Sequence, residues 1–174
     1  MKEPSRRTVS EATLTFRWKY IVLPIAVLLL SLALAAYFYH LIPNEAAYHF
    51  KEGSPDRWMS RGAVIAWLVT PQFLLTLLAG AIIWGAVKVS AQFRQTSSAW
   101  LEKILSLMGN MVALPQIILG FAMLDIFSYN AYQIHLMPLW AFALMVMALG
   151  GIILGIFFIL AIRQVRLTSR SATQ

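Results

Sequence analysis

Four apolar runs govern what this chain can become. They cover about Tyr20–Leu41, Ala63–Val87, Ile104–Phe127 and Pro138–Ile162, each 22 to 25 residues long. At about 1.5 Å per residue, helices of that length cross the ~30 Å hydrocarbon core of a bilayer. Period-2 alternation is absent, and backbone inside lipid must satisfy its own hydrogen bonds, so helices are the spanning form. The chain is 60% hydrophobic and 12% charged, against roughly 45–50% and 25% in a soluble domain. The expected fold is an all-α integral membrane protein with four transmembrane helices, one membrane domain over residues 1–174.

Charge sets the expected orientation. Lys2, Arg6, Arg7, Arg17 and Lys19 precede the first run; Lys88, Arg94 and Lys103 separate the second from the third; Arg163, Arg166 and Arg170 follow the fourth. Only Lys51, Arg57 and Arg61 fall on the other side, balanced by Glu45, Glu52 and Asp56. The positive-inside rule then predicts both termini in the cytoplasm and the segment His49–Arg61 outside. The bilayer accounts for the net charge of +7, so nucleic acid is not an expected partner.

Ala33-Leu34-Ala35 has the form of a signal-peptide cleavage site, yet the apolar run continues through Tyr37, Phe38 and Tyr39. A retained anchor is the reading that follows. The chain has no cysteine, which excludes disulfides, thiolate metal sites and cysteine nucleophiles. Ser97-Ser98 before Ala99-Trp100-Leu101-Glu102 reads as a helix start, with a serine cap and an acid in the first turn. Ala81-x-x-x-Gly85 and Gly151-x-x-x-Gly155 have the spacing of close helix contacts, expected within the bundle ahead of a homodimer seam.

Polar side chains inside the runs are few. Pro71-Gln72 in the second and Pro115-Gln116 in the third fall near mid-membrane in oppositely directed segments. Each proline frees a carbonyl one turn back, and each glutamine must find a partner there. Two readings stay open: proline kinks with glutamines bonding locally or across helices, or the paired breaks by which inverted-repeat transporters place a midplane site. Asp125 lies near a helix C-terminus, where the dipole disfavours a carboxylate, so it should be protonated, hydrated or paired. On a continuous helix it falls within about 60° of Asn110, giving a polar seam with Gln116 on another face. His40, His49 and His135 belong to the outer side but lack His-x-x-x-His or Glu-x-x-His spacing. A zinc site would need convergence from tertiary structure alone, so no metal and no cofactor are implied. No hydrolase motif is present.

The outer segment Tyr48–Arg61 is the one polar stretch rich in specific side chains. Gly53-Ser54-Pro55-Asp56 is turn chemistry, in which Gly allows positive φ, Pro fixes φ and Asp bonds nearby backbone. A short ordered loop between the first two helices is therefore expected, with His49, Asp56, Arg57 and Trp58 as candidate ligand-binding residues. Asp56 and Arg57 offer a carboxylate and a guanidinium fork.

These residues carry a resemblance. Ile42-Pro43, Tyr48-His49-Phe50 and Gly53-x-Pro55-Asp56-Arg57-Trp58-x-Ser60-Arg61 resemble the signature of an uncharacterised bacterial membrane domain. That domain is found in the N-terminal part of SdpI-type immunity proteins, and the likeness covers roughly Pro24–Gly80. The spacer after Phe50 is one residue short; Met59 stands where the family usually has Gly, and Arg61 where it has Lys. SdpI-type proteins also have more spans. The resemblance implies a multi-pass protein of the bacterial inner membrane, and within the family a role in immunity to a secreted toxic peptide. The function expected is non-enzymatic binding, immunity or signalling, with a peptide or lipid met at the outer face. The alternatives are a small proton- or ion-coupled transporter using Gln72, Asn110, Gln116 and Asp125, or an accessory subunit with a membrane-protein partner.

Overall fold

The computed structural model describes residues 15–51, 53–92 and 99–171. A 3-10 turn, Trp18–Tyr20, leads into helix α1 (Val22–Phe38), then strands β1 (Glu45–Lys51) and β2 (Ser54–Ser60). Helices α2 (Arg61–Gln92), α3 (Ala99–Met111), α4 (Ala113–Tyr132) and α5 (Leu139–Ser171) follow. Among the described residues, Arg61–Ser90, Glu102–Tyr132 and Leu139–Leu160 are long and apolar enough to cross a membrane. The chain is thus mostly helical and has the build of a multi-pass membrane protein. α1 is apolar but has only 17 residues, roughly 26 Å of helix. It is shorter than the run that predicts it, because Trp18–Tyr20 tighten into the 3-10 turn and Tyr39–Ile42 bend toward β1. The serine helix start at Ser97-Ser98 lies outside the described residues.

The polar segment between the first two runs is not a loop but an antiparallel hairpin, so the protein is not all-α. Lys51 pairs with Ser54, Phe50 with Pro55 and Glu45 with Ser60. The reversal falls at Gly53, whose φ of 80° suits glycine, and Pro55 already lies in β2. A two-stranded sheet has only edge strands, which is where proline is tolerated.

The third run is also not one helix. Pro115 has no N–H, and its ring crowds the carbonyl of Met111 four residues back. Accordingly α3 ends at Met111, Val112 stands between the two helices, and α4 begins at Ala113. Pro71, by contrast, sits inside an unbroken α2.

α1, α2 and the α3–α4 pair form the bundle, while α5 packs against α4. Two buried apolar clusters fill the bundle. Toward the hairpin lie Ala35, Phe38, Ile42, Val64, Leu68, Met123 and Phe127; at the other end lie Tyr20, Ile21, Ala79, Ile83 and Leu105. A polar layer joins α1, α2 and α4. The Gln72 side chain donates to the Gln116 carbonyl (2.9 Å), and the Gln116 side chain donates to the Gln72 carbonyl (3.0 Å). Gln116 also donates to the Thr76 hydroxyl (2.9 Å) and to the Pro24 carbonyl (3.4 Å). Both glutamines are fully buried. They bond across helices to each other's main chain, the first of the two readings left open by their sequence.

Unlike Asp125, which bonds His135 and the Leu136 amide, Asn110 is turned to the other end of the bundle. It faces the start of α1, accepting from the Leu23 amide (2.9 Å) and donating to the Lys19 carbonyl (3.2 Å). The Leu23 N–H is one of the donors a helix start leaves without an intrahelical partner. Gly109 beside it permits the approach, since a Cβ there would collide with the main-chain oxygen of Tyr20.

Among the described residues, the small-residue stripes make no close helix contact within the bundle. A Cβ added at Gly85, Gly151 or Gly155 would meet nothing within 4 Å. The close contact of α5 is one residue earlier, at Gly150, where a Cβ would lie 2.6 Å from Leu114. Phe142 stacks on Phe121 at 4.0 Å to complete that contact.

The bonding in the polar layer is unequal, and this gives a prediction. Gln116→Leu removes two N–H donors that serve three interhelical acceptors, and Gln72→Leu removes one interhelical bond, at up to about 1–2 kcal/mol per bond in a membrane. Reversible unfolding in mixed micelles should show a larger loss of stability for Gln116→Leu than for Gln72→Leu. Equal losses would contradict this assignment of the bonds.

Candidate functional site

The hairpin stands against α4, and the contact is specific. Asn130 accepts from the Ala47 amide (2.8 Å) and donates to the Ala47 carbonyl (2.8 Å). A side-chain amide thereby takes the place of a neighbouring strand and covers part of the β1 edge. Arg61 fixes the other side of the hairpin. Its guanidinium donates to the carbonyls of Tyr39 (3.0 Å) and Ile42 (3.3 Å), and it lies over the Tyr39 ring at 4.5 Å. A cation is favourable at these carbonyls, which follow the C-terminus of α1. Ala46 is buried, and Tyr48 and Met59 pack against the apolar cluster beneath.

α4 ends at Gln133, in the left-handed conformation with φ 58°, its amide bonded to the Tyr129 carbonyl at 2.8 Å. The chain then returns as the connector 133–138 to α5. Asp125 holds that connector, accepting from the Leu136 amide (2.8 Å) and pairing with His135 Nδ1 (3.1 Å). The carboxylate is thus paired, as its place near a helix C-terminus requires. Phe50 closes the assembly from the hairpin. Its ring meets Tyr129 at 4.6 Å and His135 at 4.7 Å, and Tyr129 stacks on His135 at 4.6 Å.

Between hairpin and connector lies a cleft of about 900 Å³. Tyr48, His49, Phe50 and Gly53 line one side; Ala122, Asp125 and Ile126 form the floor; His135 to Trp140 form the far wall. The lining is aromatic and aliphatic, with two histidines and one carboxylate. Size and character match the amphipathic clefts in which proteins bind small or extended ligands.

The structure divides the sequence-predicted residues into separate groups. His49 lines the cleft, and Asp56 pairs with its Nδ1 at 2.6 Å from the neighbouring strand. Arg57 and Trp58 are exposed on β2 outside the cleft lining; among the described residues Arg57 makes no ion pair. Asp125 belongs to the cleft, whereas Gln72 and Gln116 sit in the middle of the bundle and Asn110 at its other end. His49 and His135 share the cleft but pair with different carboxylates, and His40 lies away from it, its ring against Tyr39 at 5.3 Å. Among the described residues no three His, Cys, Asp or Glu side chains converge as metal ligands.

Sequence reasoning notes Phe50 only as part of the hairpin signature and passes over Asn130 entirely. An asparagine near the end of an apolar run reads as ordinary helix-end chemistry, and its partner lies 83 residues away.

Residues 26–70 match the family model of a domain of unknown function (DUF1648). The match takes in most of α1, the whole hairpin and the start of α2. The second wall of the cleft, from α4 and the connector, lies beyond it. No curated protein and no solved structure matches the chain.

The Asp125 contacts predict a graded response. Asp125→Ala removes the acceptor of the Leu136 amide, a bond to a charged group worth about 1.5–3 kcal/mol. Hydrogen exchange at Leu136 should therefore quicken by about ten-fold or more. Asp125→Asn keeps an acceptor oxygen and should restore most of the protection. Unchanged exchange in Asp125→Ala would show that the connector is held elsewhere.

Proposed function

We propose that this chain is a non-enzymatic membrane protein of the binding or immunity type. It spans a bacterial inner membrane four times with both termini in the cytoplasm, and captures an amphipathic peptide at its extracytoplasmic face. The observation that carries the reading is the cleft between hairpin and connector. It offers aromatic and aliphatic surface to a ligand's apolar side chains, with His49, His135 and Asp125 placed for its polar groups. Each of those groups is already hydrogen-bonded within the protein, equipment suited to recognition and orientation. Arg57 and Trp58, exposed on the adjoining strand, extend the surface past the cleft with a guanidinium and an amphipathic ring.

The orientation rests on the basic residues gathered at the ends of the runs opposite the hairpin. The immunity-like reading draws on the resemblance of the hairpin to the SdpI-type signature; the domain matched over residues 26–70 has no assigned function of its own. The transporter alternative draws less support. Asn110, the glutamine pair and Asp125 lie at three levels, and each is engaged with main chain of a neighbouring segment, with no hydrogen bond linking the three levels among the described residues.

Survival under challenge tests the proposal. Cells expressing the full chain are exposed to a panel of secreted amphipathic toxic peptides, with membrane expression checked in parallel. The wild type should protect. Alanine at Asp56, Arg57, Trp58 or His135 should weaken protection or peptide binding by about ten-fold, the scale of truncating an interface anchor. Full protection by normally expressed variants would defeat this reading.

A further inference from the structure

A second concavity lies at the opposite end of the bundle, between the entry to α1 and the outer face of α2. Phe16, Trp18, Ile25, Leu77, Ala81 and Trp84 are among its walls, and it encloses about 480 Å³. On α2 the lining recurs from Thr76 through Gly80 to Trp84, one stripe of the helix at the i, i+4 spacing. Gly80 opens the middle, since a Cβ there would meet nothing within 4 Å.

Cations neighbour the residues that line this groove. Lys88 follows Trp84 by one turn on the same stripe, and its ammonium lies over the Trp84 ring at 4.9 Å. Across the groove Arg17 stands in sequence between Phe16 and Trp18. Arg17 and Lys19 share a single carboxylate, that of Glu102, at 3.4 and 2.6 Å. Among these four groups positive charge is therefore in excess. Trp18 and Trp84 are both largely exposed, and rings of this kind sit at headgroup level in membranes.

An apolar slot flanked by tryptophans and by neighbouring cations has the chemistry of a phospholipid site. Other occupants fit less well. One turn of α-helix with its side chains fills roughly 400–600 Å³, taking a diameter of 10–12 Å. The groove itself thus matches about one helical turn, and it suits a flexible chain. Residues 1–14 are mostly polar or charged, with no run of apolar residues to suit an apolar lining.

We propose that this groove binds an acyl chain of an anionic phospholipid, with the lipid phosphate held between Lys88 and Arg17. Gly80 provides the space, the two tryptophans set the depth of the headgroup, and the cations select its charge. The inference is independent of the outer cleft and of the orientation assigned to the chain.

The test uses the full chain in mild detergent, exposed to equimolar phosphatidylglycerol and phosphatidylcholine with matched palmitoyl-oleoyl chains, and read by native mass spectrometry. The wild type should retain phosphatidylglycerol in preference. Lys88→Gln should lower that preference by about five-fold, the effect of one basic residue at an anionic surface. Gly80→Leu should lose retention of both lipids. Lys88 is exposed, so Lys88→Gln decides the matter even where Gly80→Leu is poorly folded. Equal retention of the two lipids, an unaltered preference in Lys88→Gln, or a second protein chain in place of lipid would each overturn the proposal.

Discussion

Apolar surface cannot by itself hold this bundle together, because lipid tails are as apolar as the helices they surround. What fixes one helix against another in that setting is close packing and the few polar groups able to reach a partner. Here side-chain amides on α3 and α4 do much of this work. Asn110 grips the main chain at the start of α1, and Gln116 grips α1 and α2 in the middle. Asn130 grips β1 at the far end. Each is directed to backbone, whose position varies less than that of a side chain. The α3–α4 pair thus sets the height of α1 and of the hairpin together.

The cleft is a consequence of that arrangement. Its near wall is a two-stranded hairpin, which has little independent stability in isolation. Asn130 and Arg61 anchor it from two sides, and Phe50 joins it to the connector through Tyr129 and His135. Its far wall is a short connector that Asp125 ties down through Leu136 and His135. Two segments with small cores of their own become opposing walls because α4 holds both. The polar groups that recognise a ligand in this account are therefore also among those that shape its site.

Much of the membrane architecture is legible in the sequence, since length and apolarity of a run translate directly into helix. The hairpin is not. Gly53-Ser54-Pro55-Asp56 reads as one turn, and a proline argues against a strand; only a sheet made entirely of edges accommodates Pro55. Ala46-Ala47 adds little strand propensity. Pro115 announces a kink, and a continuous-helix wheel aligns Asn110 with Asp125, but the neighbour each one reaches depends on how α3 and α4 pack. The paired glutamines are visible as groups in need of partners, while their choice of each other's main chain depends on how the helices pack. Asp125 is identified as needing a partner, but His135 and the Leu136 amide reach it only through the reversal at Gln133. The Asn130 bond to Ala47 spans too much sequence for any local pattern to announce it.

The claim on which the cleft depends is that Asn130 clamps the hairpin to α4. The chain has no cysteine, so spin labels can be placed without background at Ser54→Cys on the hairpin and Ile134→Cys on the connector. Pulsed electron–electron resonance in a lipid nanodisc then reads the distance between the two walls. A single narrow distribution that broadens in Asn130→Ala is the predicted result. A distribution equally narrow in both proteins would contradict the clamp, and with it the account of how the site is formed.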